Sequence, residues 1–305
     1  MNKRVIVTGG TGFIGSKLVE KLRTKVDYEV LATTNSVERQ NKYTKKVDLG
    51  NICELVSLFK SFQPTHIVNL AAIANVMHSD VSEIYKVNII FSENVLKAAK
   101  ETCLPGTPVL MTSTAGVYGI NENKYLNELL PLNPGNHYSY SKLVMEGICK
   151  EYDDYLDIKI LRPFNIVGAE QNKNFLISKI VSHFARNAKY LKVGNIKSVR
   201  DYMSITDCVA VFESILENNT PLVKPLNICT GIGHSGEDVI NKMESIAGYK
   251  INREEDNSVV RKNEIWRLVG DVSYLKTIVP EVTTNFKSLD DILVEMYSTY
   301  IKELQ

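Results

Sequence analysis

The feature that most constrains this chain is a set of three glycines at three-residue spacing, held between an apolar strand and an amphipathic helix in the first 22 residues. Val5-Ile6-Val7 forms the strand, Gly9, Gly12 and Gly15 follow, and Leu18, Val19 and Leu22 start a helical period. This order builds a cradle for a dinucleotide. Gly9 permits the tight turn, Gly12 lets the backbone approach a pyrophosphate, and Gly15 allows helix and strand to pack closely. The helix start then offers unpaired N–H donors and a positive dipole end to the phosphates.

Composition narrows the remaining classes. Charged residues make up 23% of the 305 and the formal net charge is +1, which argues against a nucleic-acid-binding tail. No apolar run approaches the ~18 residues of a membrane span, and the N-terminus enters a strand directly, so a cytoplasmic protein without a leader is expected. Cys53, Cys103, Cys149, Cys208 and Cys229 are odd in number and widely spaced, which predicts free buried thiols rather than a disulfide or zinc framework. His66, His78, His137, His183 and His234 form no metal-ligand spacing, so no metal is expected; His137, beside Tyr138, can approach a substrate or simply face solvent.

The first half of the chain alternates short β-rich runs (4–8, 28–33, 66–70, 107–112, 157–161) with helical ones (13–24, 51–60, 82–102, 138–154). Such alternation predicts an α/β protein with a Rossmann-type parallel sheet covered on both faces. Within 82–102, Ile84, Val87, Phe91, Val95, Leu96 and Ala99 follow a helical period and are expected in the core. After Pro163 the pattern is less regular. Helices are expected at 174–188, 206–218, 235–247 and 288–303, with short strands near 189–193, 202–205 and 225–229. Residues 1–163 thus read as a predominantly dinucleotide-binding domain. Residues 164–305 read as a smaller mixed α/β substrate lobe, with some chain returning to the first domain.

Further cofactor contacts can be placed along the first domain. Asp48 can accept from an adenine amino group while Leu49 packs on the ring; the alternative is a helix cap or a solvated acid. Asn69-Leu70-Ala71-Ala72 follows a strand, and the small Ala71 and Ala72 permit either close passage of a cofactor or tight sheet–helix packing. The tail of the second strand lacks the acid that would pair with an unphosphorylated ribose and repel a 2′-phosphate. Thr34, Asn35 and above all Arg39 can instead receive that phosphate, favouring NADPH/NADP with NAD still open. Arg39 can equally be a solvated side chain.

The chemistry points to Thr114, Tyr138 and Lys142. Thr114 ends a strand in a run of hydroxyls, and Tyr138 and Lys142 lie four residues apart on one helical face. Lys142 can lower the proton affinity of the tyrosine and bind the nicotinamide ribose. Tyr138 can exchange a proton with a sugar oxygen that Thr114 aligns. Ser113 is a weaker candidate, and Tyr140, two residues from Lys142, lies off that face.

These segments resemble, in order, the extended short-chain dehydrogenase/reductase family acting on nucleotide sugars. The match runs through Thr8-Gly9-Gly10-Thr11-Gly12-Phe13-Ile14-Gly15, Asp48-Leu49, Asn69 to Ala72, Asn88, Ser113 to Gly119, Tyr138 to Lys142 and Arg162-Pro163-Phe164-Asn165. The resemblance implies catalytic Thr114, Tyr138 and Lys142. It adds Thr11, Phe13, Ile14 and Leu70 to the cofactor site, with Asn88 there as a structural or relay residue. Dehydratases of the family carry an acid pair after the catalytic threonine, where this chain has Ala115-Gly116. The stretches Val193-Gly194-Asn195, Arg200-Asp201 and Arg261…Gly270-Asp271 are most similar to the GDP-4-keto-6-deoxymannose reductase branch, although Lys262 replaces a usual proline. That similarity implies substrate contacts at Asn165, Asn195, Arg200 and Arg261; Arg200 can alternatively pair with Asp201 or Asp207. It also implies a GDP-linked or other nucleotide diphosphate sugar, reduced at C4 by NADPH, and a homodimer formed through helices 82–102 and 138–154. A 4-epimerase retaining its cofactor, or a non-enzymatic nucleotide-binding scaffold, would carry the same fold.

Overall fold

The first strand, β1 (Lys3–Thr8), forms because Val5, Ile6 and Val7 are apolar in succession, the pattern of a strand buried on both faces; all three are fully inaccessible. In the computed structural model, which describes residues 2–76, 78–255 and 264–305, the chain divides into two compact units. The first comprises residues 1–119, 131–163 and 209–226, and the second 120–130, 164–208 and 227–305.

In the first unit β1 leads through α1 (Phe13–Leu22) to β2 (Tyr28–Thr34) and β3 (Thr44–Lys46), then α2 (Ile52–Phe62) and β4 (His66–Asn69). The helical segments α3 (Val81–Tyr85) and α4 (Ser92–Thr102), β5 (Pro108–Thr112), α5 (His137–Cys149) and β6 (Asp157–Pro163) follow. With β10 (Leu226–Ile228) at one edge, the strands form a seven-stranded sheet ordered β10-β6-β5-β4-β1-β2-β3. Every pairing from β6 to β3 is parallel. The sequence order reverses direction between β1 and β4, so the ends of these two strands form the crevice where open α/β sheets take ligands. Short β3 is an addition to the expected strands: its Thr-Lys-Lys has no apolar run, and only Thr44 is buried.

The span 82–102 is not one continuous α-helix. A π-helical segment, Lys86–Phe91, separates α3 from α4. The wider turn redirects the inner face, so the buried row runs Ile84, Asn88, Ser92, Val95, Leu96 and Ala99, while Val87 and Phe91 are only half-buried. Helix α5 stops at Cys149, not 154, because the following residues switch to three-residue bonds such as Lys150 N→Gly147 O (3.2 Å) and Tyr152 N→Cys149 O (3.1 Å). Cys53 is exposed, against the expectation of burial; Cys103, Cys149, Cys208 and Cys229 are buried and all five are free.

The second unit contains β7 (Asn165–Val167), α6 (Leu176–Ala185), β8 (Tyr190–Val193) and β9 (Val199–Ser204). The helix α7 (Ile205–Asn218) starts in this unit and ends in the first. After β10 come β11 (Gly233–Ser235), α8 (Gly236–Ala247), β12 (Asn252–Glu255), β13 (Arg267–Leu268), α9 (Ser273–Ile278), α10 (Pro280–Thr283) and α11 (Leu289–Lys302). Strand β9 pairs with β7, β11 and β13, and β8 pairs in parallel with β12. Helices α6, α8 and α11 bury Ile180, Phe184, Val239, Met243, Leu293 and Met296 in one core. Ser235 and Ser288 start α8 and α11 with capping boxes closed by Asp238 and Asp291.

Candidate active site

The glycine loop forms as its spacing requires. Gly9 has φ +65°, and a Cβ there would lie 2.7 Å from the backbone nitrogen of Ala71, so only glycine brings the β1 and β4 ends together. A Cβ on Gly15 would lie 2.3 Å from the carbonyl of Gly9; its close contact is with the loop itself rather than with a strand. Gly12 caps α1 without a side chain, leaving the first N–H groups of the helix to an anion. Phe13 and Ile14, in the same turn, are half-buried.

Beside this loop a cavity of about 630 Å³ is lined by Gly10, Thr11, Arg23, Arg39, Asn41 and Thr44 among others. Arg39 donates from Nη1 to the carbonyl of Thr11 at 3.0 Å. Thr34 is buried and accepts from the Thr11 hydroxyl at 3.1 Å, so it faces the loop rather than a ligand; Asn35 is exposed. Arg23 lies over the Tyr43 ring at 3.5 Å and is a second cation at this cavity. Sequence reasoning passed over it because the end of a helix gives no ligand signal.

Asp48 is exposed and accepts from Gly50 N at 2.8 Å, turning the chain toward α2, whose cap is Asn51 and not Asp48. Leu49 is buried, and Leu70, Ala71 and Ala72 are half-buried along the crevice. Asn88 is fully buried with its amide committed to protein. It accepts from Ile73 N (2.8 Å) and donates to Ile73 O (3.1 Å) and to Ser141 Oγ (2.9 Å). The π-helical segment thus ties the loop after β4 to the residue preceding Lys142.

Asn136 caps α5, accepting from Ser139 N at 2.9 Å, and so sets Tyr138 in the first turn. The Thr114 hydroxyl accepts from Gly116 N at 3.1 Å and lies near enough to Tyr138 to act on its ionisation. Burial raises the Tyr138 pKa, and the Thr114 side chain opposes that rise. Lys142 is buried, its Nζ donating to Thr112 O at 2.7 Å. Desolvation lowers its pKa to about 8, partly countered by Cys149 and Glu146. On the same residue, Thr112, the side-chain Oγ1 is buried without a hydrogen-bond partner among the described residues. A buried donor, an orphaned hydroxyl and a bare helix N-terminus along one crevice fit a nicotinamide dinucleotide.

The neighbours of this group differ in role. Ser113 turns inward and donates to Glu146 Oε1 at 2.5 Å, which removes it from the reacting set. Tyr140 is 46% exposed and lies off the Tyr138–Lys142 stripe. His137 is exposed, with its Nδ1 3.0 Å from Tyr85 Oη.

Within the second unit, the residues expected at a substrate have protein partners. Asn165 donates to Asp201 O at 3.2 Å, and Asn195 accepts from Lys197 N at 2.9 Å. Arg200 pairs with Glu264 at 2.7 Å, rather than with Asp201 or Asp207. Asp201, fully buried, accepts from Thr230 N (2.8 Å), Thr230 Oγ1 (2.6 Å), Gly231 N (2.8 Å) and Gly270 N (3.3 Å). Arg261 and Lys262 lie outside the described residues.

Comparison with known proteins adds family context to this geometry. The sequence model of the NAD dependent epimerase/dehydratase family matches residues 5–229. The chain is 37% identical over 305 residues to GDP-6-deoxy-D-talose 4-dehydrogenase of Aggregatibacter actinomycetemcomitans, covering 99% of each. It is 26% identical over 318 residues to GDP-6-deoxy-D-mannose reductase of Pseudomonas aeruginosa, covering 99% of this chain and 100% of that one. Among solved structures, UDP-glucuronic acid 4-epimerase of Bacillus cereus, in complex with UDP-glucuronic acid and NAD, superposes with a TM-score of 0.87 at 25% identity, covering 99% of this chain and 100% of that one.

Proposed function

Because the chain belongs to the NAD dependent epimerase/dehydratase family of nucleotide-sugar enzymes, we propose that it transfers hydride between a nicotinamide cofactor and C4 of a GDP-linked 6-deoxyhexose, reducing the 4-keto sugar with NADPH. The observation carrying this reading is the placement of Tyr138 in the first turn of α5 beside Thr114, with the buried Lys142 one turn further along the same helical stripe.

Bound at the glycine loop, the cofactor supplies the hydride. Gly12 lets the backbone approach its pyrophosphate, in a turn that Gly9 and Gly15 close and that Thr11, Phe13 and Ile14 share. Asp48, Leu49 and Leu70 to Ala72 line its adenosine side. Arg39, held beside Thr11, receives the 2′-phosphate. The ammonium of Lys142 has donors beyond the one given to Thr112 O, and these hold the nicotinamide ribose. Tyr138 gives its proton to the sugar O4 as negative charge develops there. Its own phenolate is then stabilised by the Thr114 hydroxyl and the lysine charge. Asn88 acts through Ser141 and Ile73 rather than by touching cofactor. In the second unit, Asn165, Asn195, Arg200 and Arg261 are assigned to the nucleotide diphosphate; Arg200 serves after exchanging Glu264 for phosphate.

The relatives guide the choice of sugar. Oxidation of C4 in 6-deoxytalose and in 6-deoxymannose gives one and the same 4-keto sugar. The 37% identity to the talose dehydrogenase, against 26% to the mannose reductase, favours the talo alcohol. A cytoplasmic homodimer is included in the reading, with Ile90 and Val144, 49% and 44% exposed, on the pairing helices. Its mass in solution should be about twice 34.3 kDa.

The test is turnover of GDP-4-keto-6-deoxymannose with 4-deuterated NADPH. One deuterium at C4 and one cofactor oxidised per sugar are expected, with the proton couplings of H4 reporting the talo configuration. Isomerisation without net cofactor oxidation would replace this reading with a 4-epimerase, the activity named for the superposing B. cereus structure. Turnover confined to UDP- or dTDP-sugars would retain the chemistry and reject GDP.

A further inference from the structure

Four residues after Lys142 on the same helical stripe stands Glu146, a buried carboxylate outside the reaction described above. Its Oε1 accepts from Ser113 Oγ at 2.5 Å and from Arg162 Nε at 2.9 Å, and its Oε2 accepts from Arg162 Nη2 at 2.6 Å. The remaining arm of Arg162 donates from Nη1 to Tyr118 Oη at 3.0 Å. Ser113, Glu146, Arg162 and Tyr118 are each less than a tenth exposed.

The four side chains come from three segments that meet at the reacting group. Ser113 immediately precedes Thr114, and its backbone N–H donates to Leu161 O at 2.7 Å. Tyr118 ends the short 3₁₀ turn that starts after Thr114. Glu146 belongs to the helix carrying Tyr138 and Lys142, and Arg162 lies at the end of β6. The forked pair therefore fixes the turn bearing Thr114 against the helix bearing Tyr138. We propose that Glu146 and Arg162 form a positioning clamp that holds Thr114 and Tyr138 in register for proton transfer.

A buried ion pair is a poor device for stability, since an apolar pair of similar volume often serves as well or better. It is a good device for geometry, because the guanidinium fork accepts a carboxylate in one plane and one orientation. The two charges cancel locally. The clamp acts through alignment, in which a misplacement of about 1 Å costs on the order of 10²-fold in rate.

The inference rests on the assignment of Thr114, Tyr138 and Lys142 as the reacting group. It is tested with the double variant Glu146→Leu/Arg162→Met, which removes both charges together, and with Glu146→Gln, which keeps the shape. Melting temperature, cofactor Kd by calorimetry, and kcat and KM are measured for both, alongside Tyr138→Phe. The double variant should melt near the wild-type temperature, keep Kd and KM within about threefold, and lose about 10²-fold in kcat. Glu146→Gln should lose about tenfold in kcat, again with KM and Kd little changed. A folded double variant with kcat within about threefold of wild type would overturn the clamp. Should the double variant not fold, Glu146→Gln decides: kcat unchanged in that folded variant overturns the proposal equally. A Tyr138→Phe protein of normal kcat would instead defeat the underlying assignment, whatever the clamp variants do.

Discussion

The two units present their polar groups in opposite ways. In the first, the groups assigned to chemistry converge in one unit. Thr114 lies beside Tyr138, Lys142 lies one turn further along the same stripe, Thr112 Oγ1 has no partner among the described residues, and α1 starts without a side-chain cap. In the second, the candidate contacts are closed onto protein: Arg200 on Glu264, Asn165 on Asp201 O, Asn195 on its own turn. Asp201, fully buried, ties three loop positions together. A site for a shared cofactor can be preformed. On the proposed function, the sugar-nucleotide site is completed by exchanging these protein partners for ligand.

The sharpest way to break this contrast is Tyr138→Phe, which removes one hydroxyl and little volume. Turnover should fall ~10²–10⁴-fold, the usual scale of positioned acid–base groups, while cofactor Kd stays near wild type. Tyr140→Phe, off the stripe, should stay close to wild type, and equal losses in the two would end the assignment of Tyr138. The same contrast predicts that Asp201→Ala damages folding first. Removing the carboxylate strands the N–H groups of Thr230, Gly231 and Gly270, at about 1–3 kcal/mol for each unsatisfied buried group. Urea unfolding should show a loss of about 3 kcal/mol or more, and a loss below about 1 kcal/mol would mean that the loops hold without it.

A third test concerns pH. Burial lowers the Lys142 pKa from 10.5 to about 8, so its ammonium is present below that pH and lost as pH rises through it. Burial acts on Tyr138 in the opposite sense, so its phenol stays protonated over the same range. The kcat/KM for reduction should therefore fall as pH rises above about 8, approaching tenfold per pH unit, with the limb assigned to the lysine. Lys142→Met should be slower throughout and lack that limb, and a wild-type profile flat well into the alkaline range would remove the ammonium from the mechanism. The smallest effect is expected at Arg39, an exposed cation. Arg39→Ala should lower kcat/KM for NADPH about three- to tenfold and leave NADH use unchanged, in keeping with a partly solvated charge contact. Equal losses with both cofactors would point to the Arg39–Thr11 bond as a structural support of the loop.

Much of the first unit was legible because its signals are local. The glycine spacing, the apolar runs of β1, β4 and β5, and the four-residue step from Tyr138 to Lys142 each declare themselves within a few residues. The π-helical segment did not. Ile84, Val87 and Phe91 fit an ordinary period, and only the bonds from Asn88 to Ile73 and Ser141, 15 and 53 positions away, mark where that period yields. Ser113 reads in sequence as a weaker candidate hydroxyl, but its O–H donates to Glu146, 33 residues on. Arg200 reads in sequence as a substrate contact or a partner of Asp201 or Asp207, but it pairs with Glu264, 64 residues distant.

The sequence by itself determined the α/β class, the dinucleotide cradle and the Tyr138–Lys142 stripe, because backbone sterics and helical periodicity act over a few residues at a time. The tertiary structure decided which hydroxyl is buried against a carboxylate, which arginine pairs with Glu146, and how the chain divides into two units. Those outcomes depend on burial and on charge partners brought together across long loops. Whether a polar side chain binds a ligand or a neighbour is set by which of them can replace its lost water.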